Sequence, residues 1–227
     1  MRERSAPTRA SRGAARPRRG VIFVGRVELG KGALIGPMVV IGEAPSGAKP
    51  GAGVTRIGAG ATIRSHTVIY AGNVIGRGLH VGHGVLIREH NEIGDDVSIG
   101  SHCMVEHHVR IGNRVRLHSG VFVPEYSVLE DECWLGPGVI LTNARYPRSR
   151  DVKSQLAGAT IRSGAKIGAG AVLLPGVEIG ADSIVGAGAV VVGDVPARAV
   201  VVGNPARVIK LVSDIAAYGT AAEPEAP

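Results

Sequence analysis

Aromatic residues are scarce in this chain: two Phe, one Trp and four Tyr among 227 residues. Globular cores usually draw large buried areas from such side chains, so this chain needs a narrow interior filled by small aliphatics. Cysteine is scarcer still. Two thiols, Cys103 and Cys133, with no Cys-x-x-Cys pair, exclude a disulfide framework and fit the reduced thiols of a cytoplasmic chain. No apolar run approaches the length of a membrane span, and residues 1–20 lack the apolar stretch of a secretory signal. Even the net charge of +7 is local. Residues 1–20 hold seven Arg against Glu3 alone, which leaves 19 basic and 18 acidic residues in the body. The charge therefore names no nucleic-acid partner, and the Arg-, Ser- and Pro-rich arm reads as disordered.

Glycine and a strict period are what the chain has in abundance. Every sixth residue from Ile57 to Leu141 is Ile, Val or Leu, fifteen positions in succession, and Gly follows several of them, as at Gly58, Gly76 and Gly94. The same period returns from Ile161 to Val191 and leads in at Phe23, Leu29, Ile35 and Ile41. A period of six fits neither a 3.6-residue helix nor simple alternation. It fits short strands separated by turns, with β-branched residues in the strands and Gly at the turns. Four residues after many of these aliphatics stands another small or β-branched residue, such as Val85, Cys103, Val121 or Cys133, which makes both thiols inward core fillers.

This pattern resembles the hexapeptide-repeat family over roughly residues 21–209. The resemblance implies an all-β, left-handed parallel β-helix with three hexads per eighteen-residue coil, against the usual right-handed crossover. Domain organisation follows: the arm at 1–20, the β-helix at 21–205, and a C-terminal helix and tail at 206–227. Two breaks in period, residues 43–56 and 144–158, are expected to leave the coil as loops, the places where repetitive scaffolds carry function.

With eighteen residues per coil, residues eighteen apart stack at strand spacing, about 4.8 Å. His90 and His108 then share a column, as do Glu89 and His107, and Glu106 adjoins His107. The segment Val105–Asn113 resembles the stretch carrying the catalytic histidine in acyltransferases of this fold, with His107 four residues before Ile111-Gly112. An imidazole can take a proton from an attacking amine or hydroxyl near neutral pH, and a carboxylate such as Glu106 or Glu89 can orient it. A structural or substrate-contact role for His107 is the competing reading, and His108 stands where the family often has an acid or a small polar residue.

Leu135–Ser149 resembles the loop entry of N-acetyltransferases that act on nucleotide-linked amino sugars. That resemblance implies contacts from Asn143, Arg145 and Arg148 to sugar or diphosphate oxygens, with His90, His108 and His118 as further substrate contacts. The Leu117-His118-Ser119-Gly120 segment departs from the family's Gln-Asn-Asn. In the family, acetyl-CoA lies along later coils between subunits of a homotrimer, which here implies Gly168, Ala169, Gly186 and Ala187, with Arg207 and Lys210 for its phosphates. Plain turn formation explains each of the glycines equally.

One rival is a metal enzyme. His66, His102 and His107 have the spacing of the zinc ligands of γ-class carbonic anhydrases, which share the fold, and three His plus water make a catalytic zinc site. That class's upstream Arg-Asp and Gln positions hold Ala44, Ser46 and Gly60 here. The expectation is therefore acetyl transfer from acetyl-CoA to an amino-sugar nucleotide, without a metal. O-acetylation and a non-catalytic scaffold are the remaining alternatives.

Overall fold

The computed structural model describes residues 20–49 and 53–218; the arm, apart from Gly20, and the end of the tail lie outside the described residues. Short strands wind into three flat sheets that form the faces of a triangular prism, nine strands on face A, eight on face B and ten on face C. Successive rungs pair in parallel, eighteen residues apart: Leu86 lies against Met104 on face A, Glu92 against Arg110 on face B, and Ser98 against Arg116 on face C. The six-residue period is thus one strand and one corner, and three of them close a coil.

The aliphatics at that period point inward. All fifteen from Ile57 to Leu141 are buried, as are Ile161 through Val191, each contributing about 1.5–3 kcal/mol by leaving water. The second inward set, Val85 to Val139 with both cysteines, is buried too. Burial pushes both thiols up, Cys133 to about 12, so they are packing groups rather than nucleophiles. Phe23 departs from the pattern. On the first described rung it pairs with one neighbouring strand only, among the described residues, and is exposed.

The chain leaves the coil between strands twice, with residues 50–52 of the first excursion outside the described residues and its end marked by the strand that begins at Val54. The excursions span Glu43 to Val54 and Leu141 to Thr160, and both leave at the corner between faces A and B, the A–B corner. The expected terminal helix is corrected. Residues Arg207–Leu211 form a strand antiparallel to Ala199–Val202, and helical geometry is confined to a single 3-10 turn at Val212–Asp214. The last coil exposes unpaired strand groups that a returning strand satisfies directly, and the β-branched Val208 and Ile209 suit it. No helix among the described residues is long and apolar enough to cross a membrane.

Candidate functional site

Eighteen-residue stacking decides which side chains meet at the A–B corner. One column runs Glu89, His107, Glu125, Asn143, and beside it runs His90, His108, Tyr126. His107 Nε2 lies 2.8 Å from Glu125 Oε1, and Asn143 Nδ2 donates to Glu125 Oε2 at 2.8 Å. The Nδ1 atoms of His107 and His108 are also 2.8 Å apart. Rings gather around this pair: His90 is 5.4 Å from His108 between centroids, and Tyr126 is 5.9 Å from His108 and 6.2 Å from His107. The two loops bracket these rungs on the same corner.

Glu125 was not among the residues singled out from sequence, although it stands one coil beyond His107 in the same column. The carboxylates that were singled out serve another partner. Arg88 donates to both Glu89 oxygens, at 3.0 and 2.8 Å, and to Glu106 Oε2 at 3.1 Å, and it lies over the Tyr70 ring. Burial alone would raise the Glu89 pKa, but the Arg88 hydrogen bonds outweigh it and hold the carboxyl below its usual range. Glu89 and Glu106 are therefore both engaged by Arg88, and neither is hydrogen-bonded to His107. The carboxylate left to His107 is Glu125.

The other expected contacts divide. His90, His108 and Asn143 join the cluster. Arg145 turns toward the next rung, donating to Pro175 O at 3.3 Å, and Arg148 is exposed on the outer loop. His118 lies on the C–A corner, its ring 4.8 Å from Trp134, where burial and then Arg116 lower its pKa. The residues expected to hold coenzyme A share that same corner. Gly168 and Gly186 are required by stacking itself, since a Cβ at Gly168 would come within 2.4 Å of Ala187 N, and one at Gly186 within 2.7 Å of Val202 Cγ1. Beside Ala169 and Ala187, by contrast, Gly138, Gly170 and Gly188 have nothing within 4 Å of an added Cβ, so the corner is open there. Arg207 and Lys210 are exposed on the returning strand of face C.

The three histidines of the zinc reading are not brought together. His66 and His102 sit two rungs apart on the C–A corner and His107 sits on the A–B corner. Among the described residues no three His, Cys, Asp or Glu side chains are placed to hold a metal.

Comparison with known proteins agrees with the repeat. Residues 92–125 and 158–193 match the family described as bacterial transferase hexapeptide (six repeats). A UDP-N-acetylglucosamine acyltransferase, LpxA, from Bacteroides fragilis superposes with a TM-score of 0.56 at 18% identity, covering 85% of this chain and 73% of that one. The matched repeats make this chain similar to the hexapeptide-repeat transferases over those residues, and the superposition shows that its coil is the left-handed β-helix. Among curated relatives, a putative acetyltransferase of Schizosaccharomyces pombe is 40% identical over 86 residues, 35% of this chain and 41% of the relative. The 2,3,4,5-tetrahydropyridine-2,6-dicarboxylate N-acetyltransferase of Staphylococcus aureus is 40% identical over 81 residues, 36% of this chain and 31% of the relative. The chain thus spans less than half the length of these two relatives.

Proposed function

We propose that this protein transfers an acetyl group from acetyl-CoA to the amine of a nucleotide-linked amino sugar, in the cytoplasm. The observation that carries the reading is His107, held between Glu125 and His108 at a corner bracketed by two loops. An imidazole backed by a carboxylate takes up the proton released when an amine attacks a carbonyl, and the carboxylate stabilises the imidazolium. The relatives named as acetyltransferases support acetyl as the group moved. The acceptor class rests on the resemblance of Leu135–Ser149 to amino-sugar enzymes and on a loop presenting Arg148 and Tyr146 outward.

Acetyl-CoA supplies the activated thioester carbonyl. The open C–A corner along Gly138, Gly170 and Gly188 fits its slender thiol arm, which needs close approach to backbone, and Arg207 and Lys210 stand ready for its phosphates. This corner and the His107 corner lie on opposite edges of face A, so one chain does not join them. A homotrimer does, if neighbouring copies set one corner against the other. The outward residues of face A support such contact, for Val40, Val68, Leu86, Met104, Phe122, Ile140, Val172 and Val190 form an apolar stripe along the prism, and contiguous exposed apolar surface marks interaction sites. Light scattering is expected to give three times the 23.3 kDa chain mass; a monomer would remove the shared-site part of the reading.

The central test is a mass-spectrometric screen of acetyl-CoA consumption against nucleotide-linked amino sugars. His107→Ala is expected to lower turnover by roughly 10²- to 10⁴-fold. A variant of near-normal activity would leave the amine to attack unaided, and a chain that binds no acetyl-CoA in calorimetry would be a scaffold. Products acetylated on oxygen rather than nitrogen would move the reading to an O-acetyltransferase with the same base.

A further inference from the structure

His107 has no ring nitrogen left over. A carboxylate only accepts hydrogen bonds, so the contact between His107 Nε2 and Glu125 Oε1 at 2.8 Å places a proton on Nε2. A neutral imidazole carries one proton, which leaves His107 Nδ1 as an acceptor. Its partner at 2.8 Å is His108 Nδ1, and that nitrogen must then be the donor. The chain of hydrogen bonds fixes the second ring as well. With its proton on Nδ1, His108 keeps a bare lone pair on Nε2.

The two rings differ in what they face. His108 lines a cleft of about 290 Å³ with His90, Glu92, Arg110, Tyr126 and Val128, and His107 does not. His107 is partly buried behind it, whereas His108 is exposed. The nitrogen that can meet an acceptor is therefore on His108, and the Glu125–His107 pair stands behind it as carboxylate and imidazole stand behind a nucleophile in hydrolytic triads.

We infer that His108 Nε2 is the atom that takes the acceptor's proton, with His107 relaying it and Glu125 stabilising the relayed charge; this rests on the acetyl-transfer reading and names its base more narrowly. His108 Nε2 accepts the proton that the amine gives up as its nitrogen bonds to the thioester carbon. His108 Nδ1 passes its own proton to His107 Nδ1, so that His108 stays neutral and His107 becomes an imidazolium against Glu125. When the carbon–sulfur bond breaks, the relay runs backward and returns the proton to the departing thiolate. Although His108 is exposed at the cleft, partial desolvation of its ring by the neighbouring groups, and then repulsion from His107 and His90, hold its imidazole below its ordinary value, which favours the neutral form that can accept a proton. Arg110 and the His90 ring in the same cleft are donors for an anionic or hydroxyl-rich acceptor.

Two measurements test this in the full chain. Nitrogen-15 NMR of labelled histidines is expected to show His108 protonated on Nδ1 with a bare Nε2, and His107 protonated on Nε2; the opposite tautomer of His108 overturns the relay whatever the activity. In kinetics, His108→Asn keeps an N–H donor near the Nδ1 position but removes the Nε2 base. Its kcat is expected to fall by roughly 10²- to 10⁴-fold, as for loss of a general base, with the acceptor KM nearly unchanged. A His108→Asn enzyme close to wild type beside an inactive His107→Ala would hand the base role back to His107. If the tautomers hold but the wild-type chain acetylates no acceptor, the acetyl-transfer reading and this catalytic role fall together, while the hydrogen-bond chain stands.

Discussion

The corner between faces B and C carries polar columns as dense as those of the A–B corner, yet its side chains are spent differently. There Arg77 N–H donates to Asp95 Oδ1 at 2.9 Å, Asp95 N–H to Asn113 Oδ1 at 2.9 Å, and Asn113 N–H to Asp131 Oδ1 at 2.7 Å. Each side chain satisfies the backbone of the rung before it, as a cap does for an orphan donor. The charges left over pair locally, Arg77 with Asp95, Arg114 with Glu132, and Arg162 with Glu130 and Glu178. At the A–B corner the equivalent ladder lies in a buried inner column. Asn73 Oδ1 accepts from Asn91 N–H at 2.9 Å, and Asn91 Oδ1 from Val109 N–H at 2.7 Å. That ladder serves the N–H groups of Asn91 and Val109, while in the outer column the side chains of His107, Glu125 and Asn143 are bonded to other side chains. On a repetitive scaffold, a polar column is structural where the neighbouring rung's N–H claims it and available for chemistry where it does not.

The sharpest way to break this contrast is Glu125. If the outer column is available for chemistry, Glu125→Ala should lower kcat on the order of 10²-fold, since His107 loses the carboxylate that steadies its charged form. Its fold stability should change by less than about 1 kcal/mol, because no backbone group is left unpaired. Glu125→Gln should also be impaired: its amide still accepts a hydrogen bond but carries no charge. Steady-state kinetics with a thermal melt on the same samples decides it. A Glu125→Ala protein that unfolds early and turns over normally would place this column with the structural ladders.

Much of this was legible in the sequence because the period is strict. Six residues per strand and corner define the core and the inward cysteines, and eighteen-residue arithmetic stacks His90 on His108. Carried one coil further, the same arithmetic reaches Glu125 from His107 and Asn143 from Glu125, so that pairing was within reach. The claim of Arg88 on Glu89 and Glu106 was not, because it depends on how far a guanidinium reaches across columns rather than on register. The end of the chain failed for a different reason. Arg207–Leu211 has too few residues to separate helix from strand by periodicity, and the open edge of the last coil, a tertiary feature, selects the strand.

The B–C ladder offers the smaller effect, and its sign follows from the carboxylates. The Asn113 backbone N–H, then its side chain, hold Asp131 below the usual aspartate range, and the Arg77 side chain does the same for Asp95. As pH falls, the unfolded chain takes up these protons first, so the ladder's contribution is complete above roughly pH 4 and disappears as the pH drops through the lowered native values. Both groups are partly exposed, and solvent screening keeps each contribution small. Thermal midpoints from pH 7 to pH 3 are expected to fall at the acid end in the wild type. Asp131→Asn, whose amide oxygen can still accept from Asn113 N–H but does not titrate, should lose part of that acid slope while acetyl transfer at neutral pH stays unchanged. Equal slopes in the two proteins would show that Asp131 is not a rung of the ladder, and an activity loss would show that the B–C corner is not purely structural.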